Sequence, residues 1–458
     1  MMETKKEFKQ VRTQNVTEGV IWKQLLTFFF PILLGTFFQQ LYNTVDTIVV
    51  GRFVGTQALA ATGAAAPLIN LLNGFFIGLS SGATVLISQF FGASDRKGVH
   101  KALHTGIAFA LVLGLLVTLL GMVAGPRILR LIKTPENCLA DAVTYIRIYF
   151  LGAIASMLYN MGSGILRAMG DSRRPTVFLI VTCFVNIGLD ILFVMVLHWG
   201  IAGAAAATIL SQWISAVLVF RVLTKLPEDI RLRLPQICLD RGLLKRILYI
   251  GVPAGLQFIT FDLSNLLIQS GVNSFGSATV AAFTAYGKAD AMTWMVSGAF
   301  GVSITTFVGQ NFGARKIDRI RKGVWVCLGM SILLVGSISA LEITFRQFVL
   351  GIFTADPEVV LLGAYAMLWT VPFNVILMPM EIFGGAMRGT GYSFVPTAIT
   401  SVCICLFRVV WLMTVVSHWN VLEALLLCYP VSWVLTATVF SITYFRGNWL
   451  NKRMETNN

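Results

Sequence analysis

The segment GILRAMGDSRRP at residues 164–175 returns in altered form as GAMRGTGYSFVP at residues 385–396, which lie 221 residues further along the chain. In each copy a glycine is placed to end one helix, and a proline lies near the first turn of the next. The chain is therefore predicted to contain two copies of one structural unit. Further pairs recur at offsets of 221 or 222 residues: Pro31 with Pro253, SQFFGA at 88–93 with GQNFGA at 309–314, and TPE at 134–136 with DPE at 356–358.

The composition indicates a chain that lies mostly in lipid. Hydrophobic residues make up 56% of the chain and charged residues only 12%, and the mean hydropathy is +0.77. Soluble domains contain roughly 45–50% apolar and about 25% charged residues. A soluble enzyme or a soluble binding module is therefore excluded.

Apolar stretches of about 20 residues, the length that crosses a bilayer as a helix, divide the whole chain. The strands of an outer-membrane barrel are about ten residues long and alternate apolar with polar side chains, whereas residues 111–122 show no such alternation. The predicted fold class is an all-α integral membrane protein with twelve transmembrane helices. The predicted spans are 22–45, 60–87, 102–123, 139–163, 176–197, 201–222, 245–270, 279–309, 324–345, 359–384, 395–416 and 421–445.

Six spans in each copy return the chain to the side of the membrane on which that copy began, so the two copies have the same orientation. Two six-helix bundles are then related by a pseudo-twofold axis along the membrane normal, an arrangement found in secondary transporters. Residues 1–222 are predicted to form an N-terminal lobe and residues 246–458 a C-terminal lobe. Residues 223–245, which contain two prolines and several basic residues, are predicted to be a cytoplasmic linker.

The positive charge of the chain is distributed unevenly over the predicted loops. Of the 35 lysines and arginines, 27 lie on the terminal tails and even-numbered loops, 6 on odd-numbered loops or span ends, and 2 within spans. Because cytoplasmic loops are enriched in Lys and Arg, both termini are predicted to be cytoplasmic and the protein to be a multi-pass protein of the cytoplasmic (inner) membrane. The net charge of +14 thus reflects topology and contact with anionic lipid, and no nucleic-acid partner is expected.

Two acids of the first copy, Asp46 and Asp190, lie at the outer part of their apolar spans at similar predicted depth, Asp46 directly after the first span. A charged side chain in hydrocarbon costs at least about 2.5–3.5 kcal/mol, so each requires a partner, water or a function. Asn186 shares the helix face of Asp190, and Thr208 lies early in the next span. These oxygens, without a nearby Lys or Arg, suit a monovalent cation such as sodium, or a shared proton. Alternatively, Asp46 only caps a helix end.

The second copy lacks this cluster of polar residues. At an offset of 221 or 222 residues, Ile268 stands opposite Asp46 and Trp411 stands opposite Asp190. The scaffold is therefore repeated in both copies, whereas the buried acids of the first copy have no counterparts in the second. The first copy is predicted to be the lobe in which a driving ion acts.

The two-times-six design resembles that of the MATE multidrug exporters, and the likeness covers nearly the whole chain. It rests on the Gln-x-x-Gly-Ala ends of spans 2 and 8, at 89–93 and 310–314, and on the Arg-x-x-Gly-x-x-x-x-Pro turns at 167–175 and 388–396. The chain most resembles the bacterial and archaeal branches of this family. This resemblance implies export of cationic and amphipathic toxic compounds in exchange for sodium ions or protons. No cofactor is expected. The partners are small-molecule drugs or metabolites and membrane lipid, and a monomer is expected.

The resemblance also implies roles for individual residues. In the MATE pattern, an acid on the first helix, Asn-x-x-x-Asp on the fifth helix and a threonine on the sixth form the coupling-ion site. A tyrosine and an asparagine of the fourth helix often assist. Here these positions are Asp46, Asn186, Asp190 and Thr208 for the ion site, and Tyr145 and Asn160 for the assisting pair.

Acids of the second copy are candidates for the substrate cavity. Asp262 follows Pro253 by nine residues, where some MATE branches hold an acid that contributes to cation coupling or substrate binding. Asp262 and Glu381 are predicted to attract cationic substrates, and Gln40 is predicted to line the same cavity. Arg408 also lies within a span. A structural buried ion pair, for instance of Arg408 with an acid, is an equally good interpretation of these charges.

Pro31 and two paired arginines are candidates for moving parts. A proline removes a hydrogen bond from the helix interior, so the helix that carries Pro31 is predicted to bend as the ion site is loaded and emptied. Arg167 and Arg388 occupy matching places in the two repeated turns. They are predicted either to anchor tight cytoplasmic turns at the membrane or to help close a cytoplasmic gate.

Two other functions compete with drug export. A flippase or exporter of lipid-linked precursors from the same superfamily would favour an arginine-rich cavity and often extra helices, but the spans contain only Lys288 and Arg408 as bases. An intramembrane enzyme would need a nucleophile, paired histidines or metal ligands at depth. His198 and His418 instead lie at loop edges beside tryptophan, as interfacial anchors do. The chain is therefore predicted not to be an enzyme.

Overall fold

The computed structural model describes residues 16–419, 421–447 and 450 of the 458-residue chain. Within these ranges the chain is helical and contains no β-strand. Eleven helices are long and apolar enough to cross a membrane, and a bent pair of shorter helices supplies a twelfth span. The prediction of an all-α membrane protein with twelve spans is confirmed. The terminal tails at 1–15 and 451–458, to which the predicted orientation refers, lie outside the described residues.

We number the spans α1 to α12 and refer to α1–α6 as the first lobe and to α7–α12 as the second lobe. Between the lobes lies a 3-10 turn, Leu234–Gln236, and a short helix, Arg346–Gly351, precedes α10. The spans are α1 Ile21–Val54, α2 Thr56–Gly92, α3 Arg96–Leu131, α4 in two pieces (Glu136–Leu151 and Ala153–Ala168), α5 Arg173–Val196, α6 Gly200–Leu223, α7 Arg241–Asn273, α8 Ser277–Gly313, α9 Ile317–Thr344, α10 Pro357–Gly389, α11 Phe394–Trp419 and α12 Leu422–Arg446.

Helix α1 extends further than its predicted span, which ended at residue 45. It is α-helical over Ile21–Val49 and π-helical over Val50–Val54. Asp46 therefore lies inside the helix, and the interpretation of Asp46 as a cap at a helix end is wrong.

The α4–α5 and α10–α11 turns have the same backbone conformation. Gly170 and Gly391 adopt positive φ angles of 93° and 84°, in the region that glycine occupies at a helix end without a steric penalty. Gly170 donates its N–H to the carbonyl of Arg167 at 2.9 Å, and Gly391 donates to the carbonyl of Arg388 at 2.8 Å. The repeated sequence motif thus encodes one helix-ending turn used twice.

Prolines in α1 and α7 are held in the same way by the neighbouring helix. The Thr176 hydroxyl of α5 donates to the carbonyl of Pro31 at 2.6 Å, and the Thr397 hydroxyl of α11 donates to the carbonyl of Pro253 at 2.8 Å. The two lobes therefore share contacts between helices as well as turns.

Pro31 also changes the hydrogen bonding of the turn before it. A proline has no N–H, so the carbonyl four residues earlier loses its helical donor. That carbonyl, of Thr27, instead accepts a hydrogen bond from the Ser172 hydroxyl at 3.2 Å. Helix α1 continues through Pro31 because the α4–α5 turn supplies the missing donor.

Departures from α-helical geometry recur in both lobes. The two pieces of α4 bend by 46° around Gly152, and α10 contains a 3-10 segment, Val371–Ile376, at the matching place. Helix α5 contains the π segment Ile191–Val196, and α11 contains Leu412–Val416. A π segment often marks a functional site. Here it recurs in both lobes, so it belongs to the scaffold.

The lobes are joined at the end of the molecule that carries the α2–α3, α4–α5, α8–α9 and α10–α11 turns, which we name the lower end. Gln89 at the end of α2 donates its side-chain amide to the carbonyl of Gly389 in α10 at 3.0 Å. Gln310 of α8 makes the reciprocal bond to the carbonyl of Ala168 in α4 at 2.8 Å. Within the described residues, the hydrogen bonds between lobes all lie near this end. The lower end is therefore closed.

Candidate ion site and central cavity

Asp190 and Asn186 form a buried polar pair on α5 whose side chains have no partner. Asp190 is 0% exposed and Asn186 is 1% exposed. Both carboxylate oxygens of Asp190 and both polar side-chain atoms of Asn186 lack a hydrogen-bond partner. The spacing of four residues places them on one face of the helix. Buried polar groups are normally hydrogen-bonded, so this cluster is a candidate binding site.

Asp46 of α1 belongs to the same cluster, and we name Asp46 and Asp190 the first-lobe acid pair. The two carboxyl groups lie close enough for their charges to interact, and Asp46 Oδ1 is buried without a hydrogen-bond partner. Tyr145 of α4 is buried and interacts electrostatically with both acids. Tyr42, one turn before Asp46, interacts with that carboxyl group as well. Side chains from α1, α4 and α5 thus meet around two acids.

Thr208 and Asn160 are placed differently from Tyr145. The Thr208 hydroxyl is buried and donates to the carbonyl of Ala204 at 3.1 Å. The Asn160 amide donates to the carbonyl of Ser156 at 2.9 Å. Neither side chain is hydrogen-bonded to the first-lobe acid pair. Each donates to a backbone carbonyl of its own helix instead.

The donor set fits a small cation or a proton. Within the described residues, no lysine or arginine forms an ion pair with either acid of the first-lobe acid pair. Carboxylate and amide oxygens are ligands for hard cations. Two carboxylates close together in a low dielectric repel each other strongly. Binding of one positive charge, as sodium or as a proton, would relieve that repulsion.

A cavity of about 210 Å³ lies inside the first lobe. It extends from Tyr42, beside the first-lobe acid pair, to Ser172 in the α4–α5 turn. Polar side chains, including Asn73, Asn160 and Gln212, contribute much of its lining. Its polar lining suits water or an ion, and its lining residue Tyr42 interacts with Asp46.

A larger cavity, of about 320 Å³, lies between the lobes, and we name it the central cavity. Aromatic side chains of α7 and α8 form much of its apolar wall, among them Phe258, Phe261 and Trp294. Ile77 and Val302 line both this cavity and the cavity inside the first lobe. The two cavities are therefore neighbours separated by a thin wall of side chains.

The residues predicted for the substrate cavity differ in where they lie. Glu381 lines the central cavity. Asp262 follows the cavity residue Phe261, and its carboxylate faces Gly74 across the lobe interface. Gln40 is exposed and lies outside the linings of both cavities, whereas its neighbour Gln39 lines the cavity of the first lobe.

Arg167 and Arg388, predicted for turns or a gate, both line the central cavity. Arg388 lies 3.9 Å from a carboxylate oxygen of Glu381 and donates to the side-chain oxygen of Gln257 at 3.2 Å. Arg167 also lines the cavity of the first lobe, and its buried Nε has no acceptor. Each arginine lies at a helix end near the lower end but directs its charge into the protein.

A second group of buried acids lies in the second lobe. Asp290 of α8 accepts hydrogen bonds of 2.8 Å from Asn374 and from Trp294. Glu342 of α9 is buried, interacts electrostatically with Asp290 and accepts a bond from Thr293 at 3.3 Å. Glu342 was not among the predicted site residues, although it lies inside an apolar span. A charged side chain there is as costly as it is at Asp46.

Arg408, the example given for a structural ion pair with an acid, forms none within the part of the chain that the structure describes. Arg408 is 1% exposed. It donates to the hydroxyls of Ser432 and Ser264 and to the side-chain oxygen of Asn265, at 3.2, 3.3 and 3.2 Å. The guanidinium also lies 4.7 Å from the ring centre of Tyr429. Neutral oxygens and an aromatic face, which attracts cations, take the place of a carboxylate.

Comparison with known proteins agrees with this architecture. The MatE family model matches residues 31–192 and 253–414, once in each lobe. The chain is 28% identical to "Probable multidrug resistance protein YoeA" of Bacillus subtilis, with 99% of each chain covered. It is 25% identical to "Probable multidrug resistance protein NorM" of Thermotoga maritima, with 84% of this chain and 83% of that relative covered.

Solved structures share the fold at low sequence identity. A crystal structure of a MATE protein in the bent conformation superposes with a TM-score of 0.89 at 22% identity, covering 98% of this chain and 99% of the other. An outward-facing multidrug resistance MATE transporter gives 0.88 at 22% identity with the same coverage. Two six-helix lobes, a family match in each of them and full-length relatives together show that this chain belongs to the MatE family of multidrug efflux transporters.

Proposed function

We propose that this transporter exports amphipathic, cationic drugs or toxic compounds by antiport with sodium ions or protons. The ion binds at the first-lobe acid pair, Asn186 and Thr208, with Tyr145 and Asn160 assisting. The drug binds in the central cavity. The transporter works as a monomer without a cofactor in the cytoplasmic membrane, with its lower end toward the cytoplasm.

The observation that carries the proposal is the burial of Asp190 without a partner. An ionised carboxylate in such a place is strongly unfavourable unless a positive charge accompanies it. A nearby second acid, Asp46, makes the charged state of both still less favourable. A site that must be neutralised exchanges its ion only when it opens to water, and this is what an antiporter requires.

The architecture supports movement of one lobe against the other. In transporters built from parallel repeats, relative movement of the halves produces alternating access. We take residues 1–222 and 246–458 as the two moving bodies and 223–245 as the linker, with α6 ending at Leu223 and α7 beginning at Arg241. The closed lower end supports the assignment of this conformation to the outward-facing half of the cycle.

Helix α1 is the proposed link between ion and drug. It carries Asp46 in the first lobe, and its earlier residue Phe29 stacks on Phe300 of the second lobe, with ring centres 4.2 Å apart. Pro31 lies between these two contacts and lacks the N–H that would stiffen the helix. Loading the ion site bends α1 at Pro31 and changes the contact between the lobes.

Efflux from proteoliposomes tests the proposal with ethidium as the cationic probe. A sodium gradient and a proton gradient are imposed separately on the wild type, Asp46→Asn and Asp190→Asn, with the exposed Glu136→Gln as a matched control. Gradient-driven efflux should fall to the leak rate in both aspartate variants and stay normal in the control. Wild-type rates in both aspartate variants would show that the acids do not couple transport. A wild type that responds to neither gradient would exclude antiport.

A flippase or exporter of lipid-linked precursors is the second candidate, and one observation favours it. Arg167 and Arg388 both line the central cavity, and guanidinium groups recognise phosphate well. Translocation of a fluorescent lipid-linked diphosphate in the same proteoliposomes would support the flippase. Ion-driven ethidium efflux without such translocation would support drug export.

A further inference from the structure

A third cavity, of about 180 Å³, lies at the lower end where the two lobes meet, and we name it the lower pocket. The first lobe contributes Gln89 of α2 to its lining. The second lobe contributes residues of α7 and of the α10–α11 turn, among them Lys245, Arg246, Tyr249 and Thr390. The lower pocket shares no lining residue with the central cavity or with the cavity of the first lobe. It is therefore a separate site that both lobes build.

The lower pocket has a positive lining. Lys245 and Arg246 belong to it, whereas no acid of the described chain does. Lys245 is exposed and forms no ion pair with any described residue. The acids nearest to the lining in sequence, Asp95 and Asp240, each accept a backbone N–H at the start of their own helix, at 2.9 Å. The pocket therefore suits an anion.

Arg246 contacts the opposite lobe as well as the lower pocket. Its guanidinium lies 5.6 Å from the ring centre of Phe90 of α2, within the range in which an aromatic face attracts a cation. Gln89, the neighbour of Phe90, donates to the carbonyl of Gly389, which precedes Thr390 of the pocket lining. Both contacts cross from one lobe to the other. The lower pocket is therefore complete only while the lower end is closed.

The surface of α7 beyond the lower pocket faces away from water. Tyr249, Leu256 and Leu263 are exposed large side chains, and their spacing of seven residues, two helical turns, places them on one face. Tyrosine is enriched at the level of the lipid headgroups. An apolar strip thus runs from the lower pocket along the helix, where the acyl chains of a lipid would lie.

A phosphate group matches both charges of the lower pocket. The planar fork of an arginine binds two phosphate oxygens at once, and a lysine binds phosphate as a point charge. Basic pockets between transmembrane helices bind the headgroups of anionic lipids. The apolar strip on α7 makes a lipid the source of phosphate that fits this surface best.

We propose that the lower pocket binds a phosphate group of net negative charge, carried by an anionic phospholipid, and that the bound group stabilises the closed lower end. A ligand that binds one conformation better than another shifts the population toward it. Because Gln89 and Phe90 move away from α7 when the lower end opens, the open state offers the phosphate a weaker site. This inference does not depend on which compound or which ion is transported.

Lipid binding to the detergent-solubilised protein, followed by native mass spectrometry, tests the site. Phosphatidylglycerol is compared with phosphatidylcholine, which has the same phosphate but no net charge. The proteins are the wild type, Lys245→Gln and Arg246→Gln. Arg241→Gln is the matched control, because Arg241 is an exposed base at the start of the same helix and lies outside the pocket lining.

Affinity for phosphatidylglycerol should fall about tenfold in Lys245→Gln and in Arg246→Gln, the effect of one lost charge-assisted hydrogen bond. It should stay at the wild-type value in Arg241→Gln, and affinity for phosphatidylcholine should be low throughout. An equal fall in Arg241→Gln and Lys245→Gln would overturn the site, since it would show diffuse attraction between a basic surface and anionic lipid. Equal affinity of the wild type for the two lipids would overturn it as well.

The effect on the lower end is measured in nanodiscs with spin labels at the exposed positions Lys97 and Lys322 and with Cys238 removed. The labelled protein carries Gln310→Leu, which removes hydrogen bonds to Ala168 and Val16 outside the pocket and so populates open states. Phosphatidylglycerol should reduce the long-distance population relative to phosphatidylcholine. Lys245→Gln should abolish this reduction, and Arg241→Gln should preserve it.

Free glycerol phosphate, added to phosphatidylcholine nanodiscs, separates the two sources of phosphate. No change in the distances would support a lipid as the ligand. A reduction equal to that of phosphatidylglycerol would support the phosphate site but overturn the lipid as its source. The same distances in both lipids would overturn the proposed stabilisation of the closed lower end. Efflux of ethidium is a separate measurement, so the proposed export function stands or falls independently of these results.

Discussion

Gln89 of the first lobe donates its side-chain amide to the carbonyl of Gly389 of the second lobe at 3.0 Å, and both residues are buried. The reciprocal bond from Gln310 to the carbonyl of Ala168 is 2.8 Å long. The last carbonyls of a helix lack donors within that helix. Each glutamine thus satisfies a helix end in the opposite lobe. The two bonds must break before the lower end can open.

Replacing both glutamines by leucine should shift the protein toward states with an open lower end. Each buried hydrogen bond contributes about 1 kcal/mol. Gln89→Leu plus Gln310→Leu removes three such bonds, to Gly389, to Ala168 and from Val16, so the ratio of closed to open states should change by roughly 150-fold. Spin labels at the exposed positions Lys97 and Lys322, with the exposed Cys238 removed, should report a longer distance population across the lower end.

Gln347→Leu is the matched control for these glutamines, because Gln347 is exposed and lies beyond α9 at the opposite end. Its distance distribution should equal that of the wild type. A wild-type distance distribution in the double variant as well would show that these bonds do not hold the lower end closed.

The sequence repeat predicted much of the fold but not the pairing of these glutamines. Gln89 and Gln310 stand at matching positions, and from this the internal symmetry follows. The offset between two copies does not say whether a side chain faces its own lobe or the other. That choice depends on how closely α2 and α8 approach, and their glycines decide this only once the helices are packed.

Gly313 illustrates the close approach and leads to a second prediction. A Cβ atom at this position would overlap the backbone carbonyl of Gln89 in the opposite lobe. Gly313→Ala should therefore force the lower ends apart and lower ion-driven efflux strongly. Gly329→Ala, on an open face of α9 with no atom near the added methyl group, should leave efflux normal and make the helix slightly more stable, by up to about 1 kcal/mol. Normal efflux in Gly313→Ala would refute the requirement for close packing.

The candidate ion site was predictable to the extent that it consists of acids in apolar spans. Asp46 and Asp190 stand out because a charged side chain within the membrane is costly on any face of a helix. Arg167 and Arg388 were predicted to anchor turns or to help close a gate because they lie just beyond predicted spans, whereas in the structure their side chains line the central cavity. The direction in which these side chains point depends on the neighbouring helices, and the sequence does not show how those helices pack.

The hydrogen bonds of Asp290 lead to a prediction on stability. Asp290→Ala would leave the buried side chain of Asn374 and the half-buried side chain of Trp294 without their acceptor, and each unsatisfied donor costs about 1–3 kcal/mol. The melting temperature of the detergent-solubilised protein should fall by several degrees. Asp290→Asn keeps one acceptor oxygen, so its melting temperature should fall by less. Equal melting temperatures for Asp290→Ala and the wild type would show that this network does not stabilise the second lobe.

Arg319 ties the segment before α1 to the second lobe. It donates to the carbonyls of Val16 and Glu18 at 3.2 and 3.0 Å and to the side-chain oxygen of Gln24 at 2.6 Å. Val16 is 1% exposed and donates its N–H to the side-chain oxygen of Gln310 at 3.1 Å. The same Gln310 amide thus joins the first lobe, the second lobe and the segment before α1.

Removing this anchor should loosen the segment and weaken the closed lower end. In Arg319→Ala, residues 16–24 should exchange their amide hydrogens faster, because hydrogen bonds to three acceptors are lost, at about 1 kcal/mol for each acceptor. Lys322→Ala, an exposed neighbour on the same helix, is the control for loss of charge and should exchange at the wild-type rate. Hydrogen exchange followed by mass spectrometry measures both variants, and the spin-label pair across the lower end measures the opening. Unchanged exchange at residues 16–24 would mean that the burial of Val16 alone holds the segment, and Arg319 would then have no part in closing the lower end.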